Sequence, residues 1–511
     1  MIERFYIFWV WLLDKMIWYS DINSSVHRLF LSPQLGDFRV ALGRVKAVHT
    51  FRYAYKHVPA YRDYLSKHSF HGPRVSLTRV SLGDVPEMDK ASYIKPYALL
   101  DKLIDGQLPR AGVMFDESSG SSGKPTSWVR GAKERRMTQR ILQVTFNEFK
   151  GNREPIILNT FSMGAWATGF NTSTCLLGIG RIKSIGPDQT KVIDTLVELG
   201  PGFDYVILGY PPFLRALTES TEIDWGQYRI SALYGGEGMS ESMRSHLLGF
   251  YGQVMGSYGA SDLEINIAWE SDFTIGLRRA LSADPKLQKL LMRENRGIVP
   301  MVFQFNPYDY LFETNAKGEL LVTICRTYNL SPRVRYNIHD IGHAMDFYKL
   351  KRLLIQHGHK DLLKLATLDF AVLFHYGRAD LSVDYNGAVV GPEEIKQILS
   401  QYPLYEAKIN TFRLISYEDK TARKHLLFAM ELSHDAQLNK TAAHDLLAKI
   451  VADLQVSNLD FKSAHSTAQL KPEIKLYTHG TGIFDQAHTK LKNDYIWNID
   501  YRRAVEEGIV A

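Results

Sequence analysis

Apolar runs alternate with helical periodicity along the first three quarters of the chain. Strand-like runs occur at 155–160 and 205–208, and helical spacing lies between them at 189–199. Helical spacing also covers 40–65, and a further helix is expected after Ser240, whose side chain suits the first position of a helix. This alternation predicts an α/β architecture with parallel strands.

The pattern changes near residue 380. Two apolar runs, 409–415 and 426–432, flank a polar turn and predict a β-hairpin. Helical spacing follows at 442–454, and 473–477 predicts a last strand. The last quarter therefore predicts a small α+β unit of ordinary domain size.

Composition narrows the class of protein. A chain of 511 residues is too long for one hydrophobic core, and 45% hydrophobic with 23% charged residues is ordinary for a globular protein. The net charge of +6 is modest and its basic residues are interspersed, which argues against nucleic-acid binding. Cys175 and Cys325 are far apart, which disfavours a thiolate metal site and fits a reducing cytoplasm.

The N-terminus is strongly apolar. Phe5–Leu13 is a run of nine apolar residues, five of them aromatic, and Asp14 and Lys15 close it. The run is too short to span a bilayer, and Glu3 argues against a signal peptide. It predicts a helix packed on the first domain; peripheral contact with a membrane and homodimerisation stay open.

One histidine pair raises the question of zinc. His339 and His343 have the H-x-x-x-H spacing and bracket Asp340. Gly342 between them disfavours a helix by about 1 kcal/mol, and no third ligand is evident. We therefore expect no zinc there.

The segment Ser118–Thr126, SSGSSGKPT, has the composition of a phosphate-binding loop. Glycines allow a close backbone approach, successive N–H groups can point at one anion, and a lysine adds charge. It is not a Walker loop, since only two residues separate its glycines and Pro125 follows the lysine. A flexible linker is the alternative. The candidate phosphate-binding residues are Ser118, Ser119, Gly120, Ser121, Ser122, Gly123 and Lys124.

Three further motifs follow in order: Tyr258–Asp262, Pro332–Asp340, and Tyr376–Asp380 with Pro392–Ile395 behind it. Together with the loop they resemble the adenylate-forming superfamily of acyl-CoA synthetases. These enzymes activate a carboxylic acid as an acyl-adenylate and pass the acyl group to a thiol.

Other segments narrow the resemblance. Residues 53–62 and 85–90 are similar to phenylacetate-CoA ligases. Residues 159–169 and 209–213 look closer to the capsule-biosynthesis and coenzyme-adenylylating branch of that group. The resemblance covers about residues 40–496.

The resemblance implies an α/β fold: a large N-terminal adenylation domain, 1–379, binds ATP and the acid, and a small mobile α+β lid domain spans 380–511. Asp380 would be the hinge. Asp340 would hold the ribose hydroxyls and Arg378 would reach ribose or phosphate. The residues expected to border adenine are Gly235, Gly236, Glu237, Tyr258 and Gly259. On sequence alone, Asp340 could equally be a turn residue and Tyr258 a core residue.

The segments expected to hold the metal and to supply the catalytic lysine depart from the pattern of the family. Asp262 stands where relatives usually carry glutamate, so Mg²⁺ would sit closer or bind through water. Glu264 is the alternative ligand. The lid lysine that meets the reacting carboxylate is best matched by Lys492, with Lys490 as the rival, although the surroundings depart from the usual Gly-Lys pattern.

The expected acid pocket is apolar and aromatic, lined by Trp166, Phe170, Tyr210 and Phe213, although these could equally be core aromatics. We expect an ATP- and Mg²⁺-dependent ligase acting on a small-molecule carboxylic acid with CoA as co-substrate. A carrier-protein thiol, an amine or a hydroxyl acceptor stays open. A nucleotide-binding partner protein without catalysis is the other alternative.

Overall fold

The computed structural model describes residues 2–21, 25–70, 82–117, 126–165, 167–293, 299–378, 382–385, 388–418, 424–468, 470–485, 494–499 and 501–510. The strands are β1 (Val113–Glu117), β2 (Ser127–Gly131), β3 (Ile156–Asn159), β4 (Arg181–Ser184), β5 (Asp204–Gly209), β6 (Arg229–Gly235), β7 (Val254–Tyr258), β8 (Ala268–Trp269), β9 (Met301–Phe305), β10 (Tyr310–Thr314), β11 (Glu319–Ile324), β12 (Tyr336–Met345), β13 (Ala371–Arg378), β14 (Val383–Tyr385), β15 (Ala388–Val390), β16 (Ile409–Glu418), β17 (Lys424–Leu432), β18 (Glu473–Tyr477) and β19 (Ile496–Ile499).

The α-helices are α1 (Ile2–Tyr19), α2 (Ser25–Leu31), α3 (Gly36–His57), α4 (Pro59–Lys67), α5 (Ala132–Lys150), α6 (Ala167–Leu176), α7 (Gln189–Leu199), α8 (Pro211–Leu217), α9 (Glu241–Leu247), α10 (Asp272–Ala283), α11 (Pro285–Leu291), α12 (Phe347–Gln356), α13 (Pro392–Ser400), α14 (Pro403–Glu406), α15 (Lys440–Ser457), α16 (Leu459–Thr467) and α17 (Tyr501–Glu506).

One large mixed sheet organises the first part of the chain. Its strands run in the order β10–β11–β12–β13–β9–β8–β7–β6–β5–β3–β4. Neighbours from β4 to β7 are parallel, whereas neighbours from β7 to β10 are antiparallel. The α/β fold is confirmed, but the predicted parallel arrangement holds for one half only. Parallel neighbours need crossover helices, whereas a short turn such as the one joining β10 to β11 makes an antiparallel pair.

The sheet is packed on both faces. Ile157 and Leu158 are neighbours in β3 but belong to different buried clusters, and so do Val302 and Phe303 in β9. Successive strand side chains point to opposite faces, so both faces carry a hydrophobic core. Cys175 and Cys325 are buried as small apolar residues, as the sequence predicted.

A second sheet with its own core forms the C-terminal unit. The predicted hairpin is β16 and β17, paired antiparallel, and β18 and β19 flank it in parallel. Leu414 and Phe428 of the hairpin pack with Ile450 of α15. Arg215 in α8, which belongs to the part of the chain with the large sheet, donates to the backbone oxygen of Ile409 at 2.7 Å. This bond ties that part to the C-terminal unit.

Helix α1 packs on α3 through its inner face. Val10 and Ile17 are buried together with residues of α3. Asp14 accepts hydrogen bonds from Lys46 at 2.9 Å and from the Tyr308 hydroxyl at 2.8 Å. The predicted N-terminal helix is therefore present. Among the described residues, no helix combines the length and hydrophobicity needed to cross a bilayer.

Candidate active site

A cavity opens beside the carboxyl ends of the parallel strands β5, β6 and β7. It has a volume of about 190 Å³, and Tyr210, Gly235, Gly236 and Gly259 line it. Gly259 has no room for a side chain, because a Cβ would lie 2.7 Å from the backbone oxygen of Glu264. Gly236 has a φ of +87°, which favours glycine. Four predicted site residues are thus brought together, at the strand ends where open α/β sheets bind ligands.

Most of the cavity wall is apolar. Phe161 follows β3 and packs edge-on against Tyr210, with ring centroids 5.2 Å apart. Other apolar and aromatic residues of the wall come from α5, α6 and the strands, namely Leu142, Phe146, Phe149, Leu176, Leu208, Leu233, Met255 and Trp269. The sequence reasoning did not identify these residues, because they are spread over α5, α6 and four strands that lie far apart in the sequence.

One side of the wall is polar. The Ser257 hydroxyl donates to Asn266 at 2.8 Å, and the Asn266 amide donates to the Thr145 hydroxyl at 2.9 Å. All three residues line the cavity. The cavity can therefore accept an apolar group that carries a hydrogen-bonding substituent.

Two residues predicted for the acid pocket, Phe170 and Phe213, do not line this cavity. Phe170 is 47% exposed, and the cavity-facing residues of α6 include Thr168 and Thr172. Residues four apart share a face of a helix, whereas Phe170 lies between them on the opposite face. Phe213 packs against the main core and is not on the cavity wall. Trp166 lies outside the described residues.

A buried polar cluster lies in the antiparallel half of the sheet. Asp340 Oδ2 accepts a hydrogen bond from the Tyr258 hydroxyl at 2.5 Å and lies 3.0 Å from His375 Nε2. Arg378 stands directly opposite Asp340 in the register of β12 and β13. Burial acts to raise the pKa of Asp340, but His375 and Arg378 outweigh it and hold that pKa below its usual value. The group is thus an ionised acceptor, suited to hydroxyl donors.

Tyr258 supports this cluster from β7. Its ring stacks on Phe303 at 5.6 Å and contacts His375 at 4.9 Å. Burial and the neighbouring Asp340 raise the pKa of Tyr258 well above its usual value, so its hydroxyl stays protonated. The stacking of adenine on Tyr258 stays a prediction, because protein groups already contact this ring.

His375 is a site residue that the sequence reasoning missed. It bridges Asp340 and Tyr258 from β13, two residues before Gly377. The only signal in the sequence was its position next to the Gly377-Arg378 motif. A histidine there is uninformative until the pairing of β12 with β13 brings it to Asp340.

The two candidate metal ligands lie in different surroundings. Both oxygens of Glu264 accept hydrogen bonds from buried Arg326, at 2.7 and 2.8 Å, and Tyr310 adds another at 2.6 Å. Asp262 is only partly buried, and one oxygen accepts from the Tyr336 hydroxyl at 2.8 Å. Mg²⁺ usually binds one or two carboxylates together with phosphate oxygens, so Asp262 fits this role better than Glu264. Within the described segments, no group of three or more acidic, histidine or cysteine residues forms a metal site.

The candidate phosphate loop, Ser118–Lys124, lies outside the described residues. The strands before and after it, β1 and β2, pair with Glu117 opposite Ser127, which brings the two ends of this segment together. Arg130 of β2 donates to the backbone oxygen of Ser261 at 2.6 Å. This bond connects the hairpin to the 258–262 motif.

A buried carboxyl group lies beside Arg130. Glu134 Oε1 is 3.8 Å from the Arg130 guanidinium, and its other oxygen accepts from the backbone N–H of Leu330 at 2.9 Å. Burial raises the pKa of Glu134 to about 7, against the opposing effect of Arg130. This carboxyl is therefore partly protonated at neutral pH.

The remaining predicted residues either do not line the cavity or lie outside the described residues. Glu237 pairs with Lys396 of α13 at 3.6 Å and so faces the C-terminal unit. Lys492, Lys490 and Asp380 lie outside the described residues. His339 and His343 belong to β12, where His339 lies near Glu319 at 3.2 Å and His343 stacks on Phe374.

Comparison with known proteins shows which solved structures have a similar architecture. No model of a protein family matches the chain, and no curated protein matches it in sequence. A crystal structure of 2-hydroxyisobutyryl-CoA ligase in the postadenylation state, in complex with 2-HIB-AMP, is similar with 14% identity, a TM-score of 0.63 and 92% coverage of each chain. The same ligase with 2-HIB-AMP and CoA in the thioesterification state has 13% identity, a TM-score of 0.50 and coverage of 94% of this chain and 92% of that chain.

The chain thus has the fold of an adenylate-forming ligase with a C-terminal domain, as the motifs predicted. At this identity the likeness establishes the fold. The phenylacetate-CoA ligase-like and capsule-biosynthesis branches stay predictions.

Proposed function

We propose that the protein is an ATP- and Mg²⁺-dependent ligase that activates a carboxylic acid as its acyl-adenylate and transfers the acyl group to CoA. One observation carries this proposal. The apolar cavity and the Asp340 cluster meet at consecutive residues, Gly259 and Tyr258, in a fold shared with 2-hydroxyisobutyryl-CoA ligase. An acid in the cavity and a nucleotide on Asp340 would therefore be neighbours.

Adenylation joins an oxygen of the acid to the α-phosphorus of ATP and breaks the bond to pyrophosphate. This chemistry depends on positioning and charge neutralisation more than on acid–base catalysis. In the proposal Asp340 accepts the ribose hydroxyls and Arg378 neutralises phosphate or holds ribose. Gly235, Gly236 and Gly259 allow the nucleotide to approach the backbone.

The departing pyrophosphate would be held by Ser118–Lys124. Asp262 would hold Mg²⁺, which supplies positive charge to the phosphates when it is bound. Lys492 would neutralise the negative charge that develops at the reacting oxygens. The pairing of β1 with β2 and the bond from Arg130 to Ser261 support this arrangement, because they bring the strands on either side of residues 118–124 to the motif that contains Asp262.

The acid is proposed to have an apolar body with one hydrogen-bonding substituent. Phe146, Phe161 and Met255 would contact the body, and the chain of hydrogen bonds from Ser257 to Asn266 and Thr145 would meet the substituent. This matches a substituted aryl or alkyl acid better than a highly charged one.

The proposed domains are 1–379 and 380–511, with rotation about Asp380 between the two half-reactions. CoA is proposed as acceptor because the similar ligase is described with CoA in its thioesterification state. A carrier protein, an amine or a hydroxyl would use the same first half-reaction. We place the protein in the cytoplasm, where ATP and CoA are available.

The test measures pyrophosphate release from ATP and Mg²⁺ with a panel of aryl, fatty and hydroxy acids. Wild type is compared with Asp340→Ala and Lys492→Ala, and Lys364→Ala at an exposed position is the matched control. Acid-dependent release that both site variants abolish supports the adenylation step. Subsequent addition of CoA should convert the acyl-adenylate to an acyl-CoA detectable by mass spectrometry.

Three outcomes would contradict parts of the proposal. Binding of ATP without release for any acid would favour a catalytically inactive nucleotide-binding protein. Release that Lys492→Ala leaves intact and Lys490→Ala abolishes would transfer the catalytic role to Lys490. An acyl-adenylate that reacts with hydroxylamine but not with CoA would leave the first step standing and exclude CoA.

A further inference from the structure

Helix α1 is apolar on both of its faces. Its inner face is buried against α3 through Val10 and Ile17. Its outer face carries large apolar side chains in contact with solvent, including Trp11 at 54% and Tyr19 at 74% exposure. The other exposed members of this face are Phe8, Trp9 and Met16. Exposed large apolar patches of this kind mark interaction sites.

The helix is held in place by partly buried polar interactions. The Asp14 carboxylate receives hydrogen bonds from Lys46 and Tyr308, and the Lys46 ammonium lies 3.6 Å from the centroid of the Tyr308 ring. These contacts fix which face of α1 points outward. The apolar outer face of α1 is thus a stable part of the surface.

The two helices that contact α1 also expose large apolar side chains. Val26 and Leu29 of α2 and Phe38 of α3 are exposed, with Leu29 at 62%. Helix α1 packs on α2 and α3 in the fold. We call these residues, together with Phe8, Trp9, Trp11, Met16 and Tyr19, the aromatic face.

Charge indicates which partner fits. Of the described side chains of α1, Lys15 is the one charged group on the outer face, since Asp14 points inward. Arg28 is exposed on α2, and the Arg136 guanidinium lies 4.5 Å from the centroid of the Trp18 ring at the end of α1. Asp21 and Asp37 are exposed acids nearby, so these three basic groups outnumber the acids by one.

We propose that the aromatic face docks this protein on the surface of an anionic phospholipid membrane, with α1 lying in the plane of the interface. Tryptophan and tyrosine favour the headgroup region, where a ring meets acyl chains and a polar edge meets water. Lys15 and Arg28 would meet lipid phosphates there. In a two-fold dimer through the same face, Lys15 would instead approach its own copy, and like charges would oppose each other.

This proposal does not depend on the proposed enzymatic activity. The test incubates the full-length protein with vesicles of phosphatidylcholine alone or mixed with phosphatidylserine, and measures co-sedimentation and the blue shift of tryptophan fluorescence. Binding is expected on the mixed vesicles, with weakening by salt. Trp11→Ser and Leu29→Ser should each lower the affinity at least about tenfold, because each removes roughly 1.5 kcal/mol or more of apolar transfer free energy.

Lys15→Glu should lower binding to the mixed vesicles while leaving the fold unchanged. The matched control is Leu404→Ser, since Leu404 is also an exposed leucine, with 85% exposure, but lies in α14 of the C-terminal unit. The proposal is overturned if the protein ignores both kinds of vesicle. It is also overturned if Trp11→Ser instead converts a dimer to a monomer in light scattering, which would make a second copy the occupant.

Discussion

The two sides of the candidate site are built on different principles. The antiparallel side, around Asp340, is a cluster in which Tyr258 and His375 both bond the same carboxylate oxygen. The parallel side is a cavity walled mostly by apolar side chains such as Phe146 and Phe161. In the proposed reaction the first side meets the nucleotide, which is constant, and the second meets the acid, which differs between enzymes.

The contrast predicts different responses to mutation. A buried hydrogen-bonded carboxylate fails when one atom changes, because its partners are left unsatisfied. An apolar wall responds in a graded way, because a lost methylene changes the binding free energy by only about 1 to 3 kcal/mol. Substitutions should be poorly tolerated on the polar side, whereas substitutions on the apolar side should change activity by degrees.

The largest effect is expected for Asp340→Asn. This change keeps the size of the side chain but removes the charge that His375 and Arg378 stabilise. We expect kcat/KM for ATP to fall at least about 100-fold, equivalent to roughly 3 kcal/mol. Pyrophosphate release at varied ATP measures it, with Asp435→Asn at an exposed position as the control. Wild-type kinetics in Asp340→Asn would contradict the proposal that the nucleotide binds on this side.

The next effect concerns Glu134, the buried carboxyl beside Arg130. Its pKa is raised from 4.5 to about 7, so the folded protein holds this proton more tightly than the unfolded chain. The resulting stability is complete below about pH 4.5 and is lost as the pH rises to about 7, an effect of roughly 3 kcal/mol. Glu134→Gln stays neutral, so its free energy of unfolding should fall less than that of wild type between about pH 5 and about pH 8.

Urea unfolding at both pH values measures this difference. Glu198→Gln, at an exposed position of α7, serves as the control. Parallel pH profiles for wild type and Glu134→Gln would show that Arg130 keeps the carboxyl ionised. The charged cluster of Arg130 and Glu134 would then resemble the Asp340 cluster in its electrostatics.

The smallest effect is expected for Phe161→Leu on the apolar side. The change enlarges the cavity beside Tyr210 and should shift the ratio of kcat/KM between a bulky and a small acid by about tenfold. KM for ATP should change by less than about twofold, because no polar group is lost. Phe203→Leu, at an exposed position, is the control. A large rise in KM for ATP would mean that the two sides are not separable.

The sequence indicated the residues of the Asp340 cluster better than those of the cavity wall. Tyr258, Asp340 and Arg378 lie in short motifs, and the structure brings them together. Most apolar residues of the cavity wall are spread over several elements between 142 and 269, so no single local pattern indicates them. Phe170 shows the difficulty, since a shift of two residues along a helix turns a side chain to the opposite face.

The fold was partly predictable for a similar reason. Local signals gave helix 189–199 and the cap at Ser240, whose side chain accepts from Met243 N at 3.1 Å. The order and direction of strands depend on contacts distant in sequence. Periodicity therefore did not indicate that β8 to β13 would add an antiparallel half to the sheet.

The pair of Lys396 and Glu237 bears on how freely the C-terminal unit could turn. Both side chains are largely withdrawn from water, at 15% and 12% exposure. Removal of two charges from water costs about as much as their attraction returns, so hydration would compensate most of the interaction lost when they separate. A contact of this kind specifies one orientation of the unit, and its own rupture costs little net free energy.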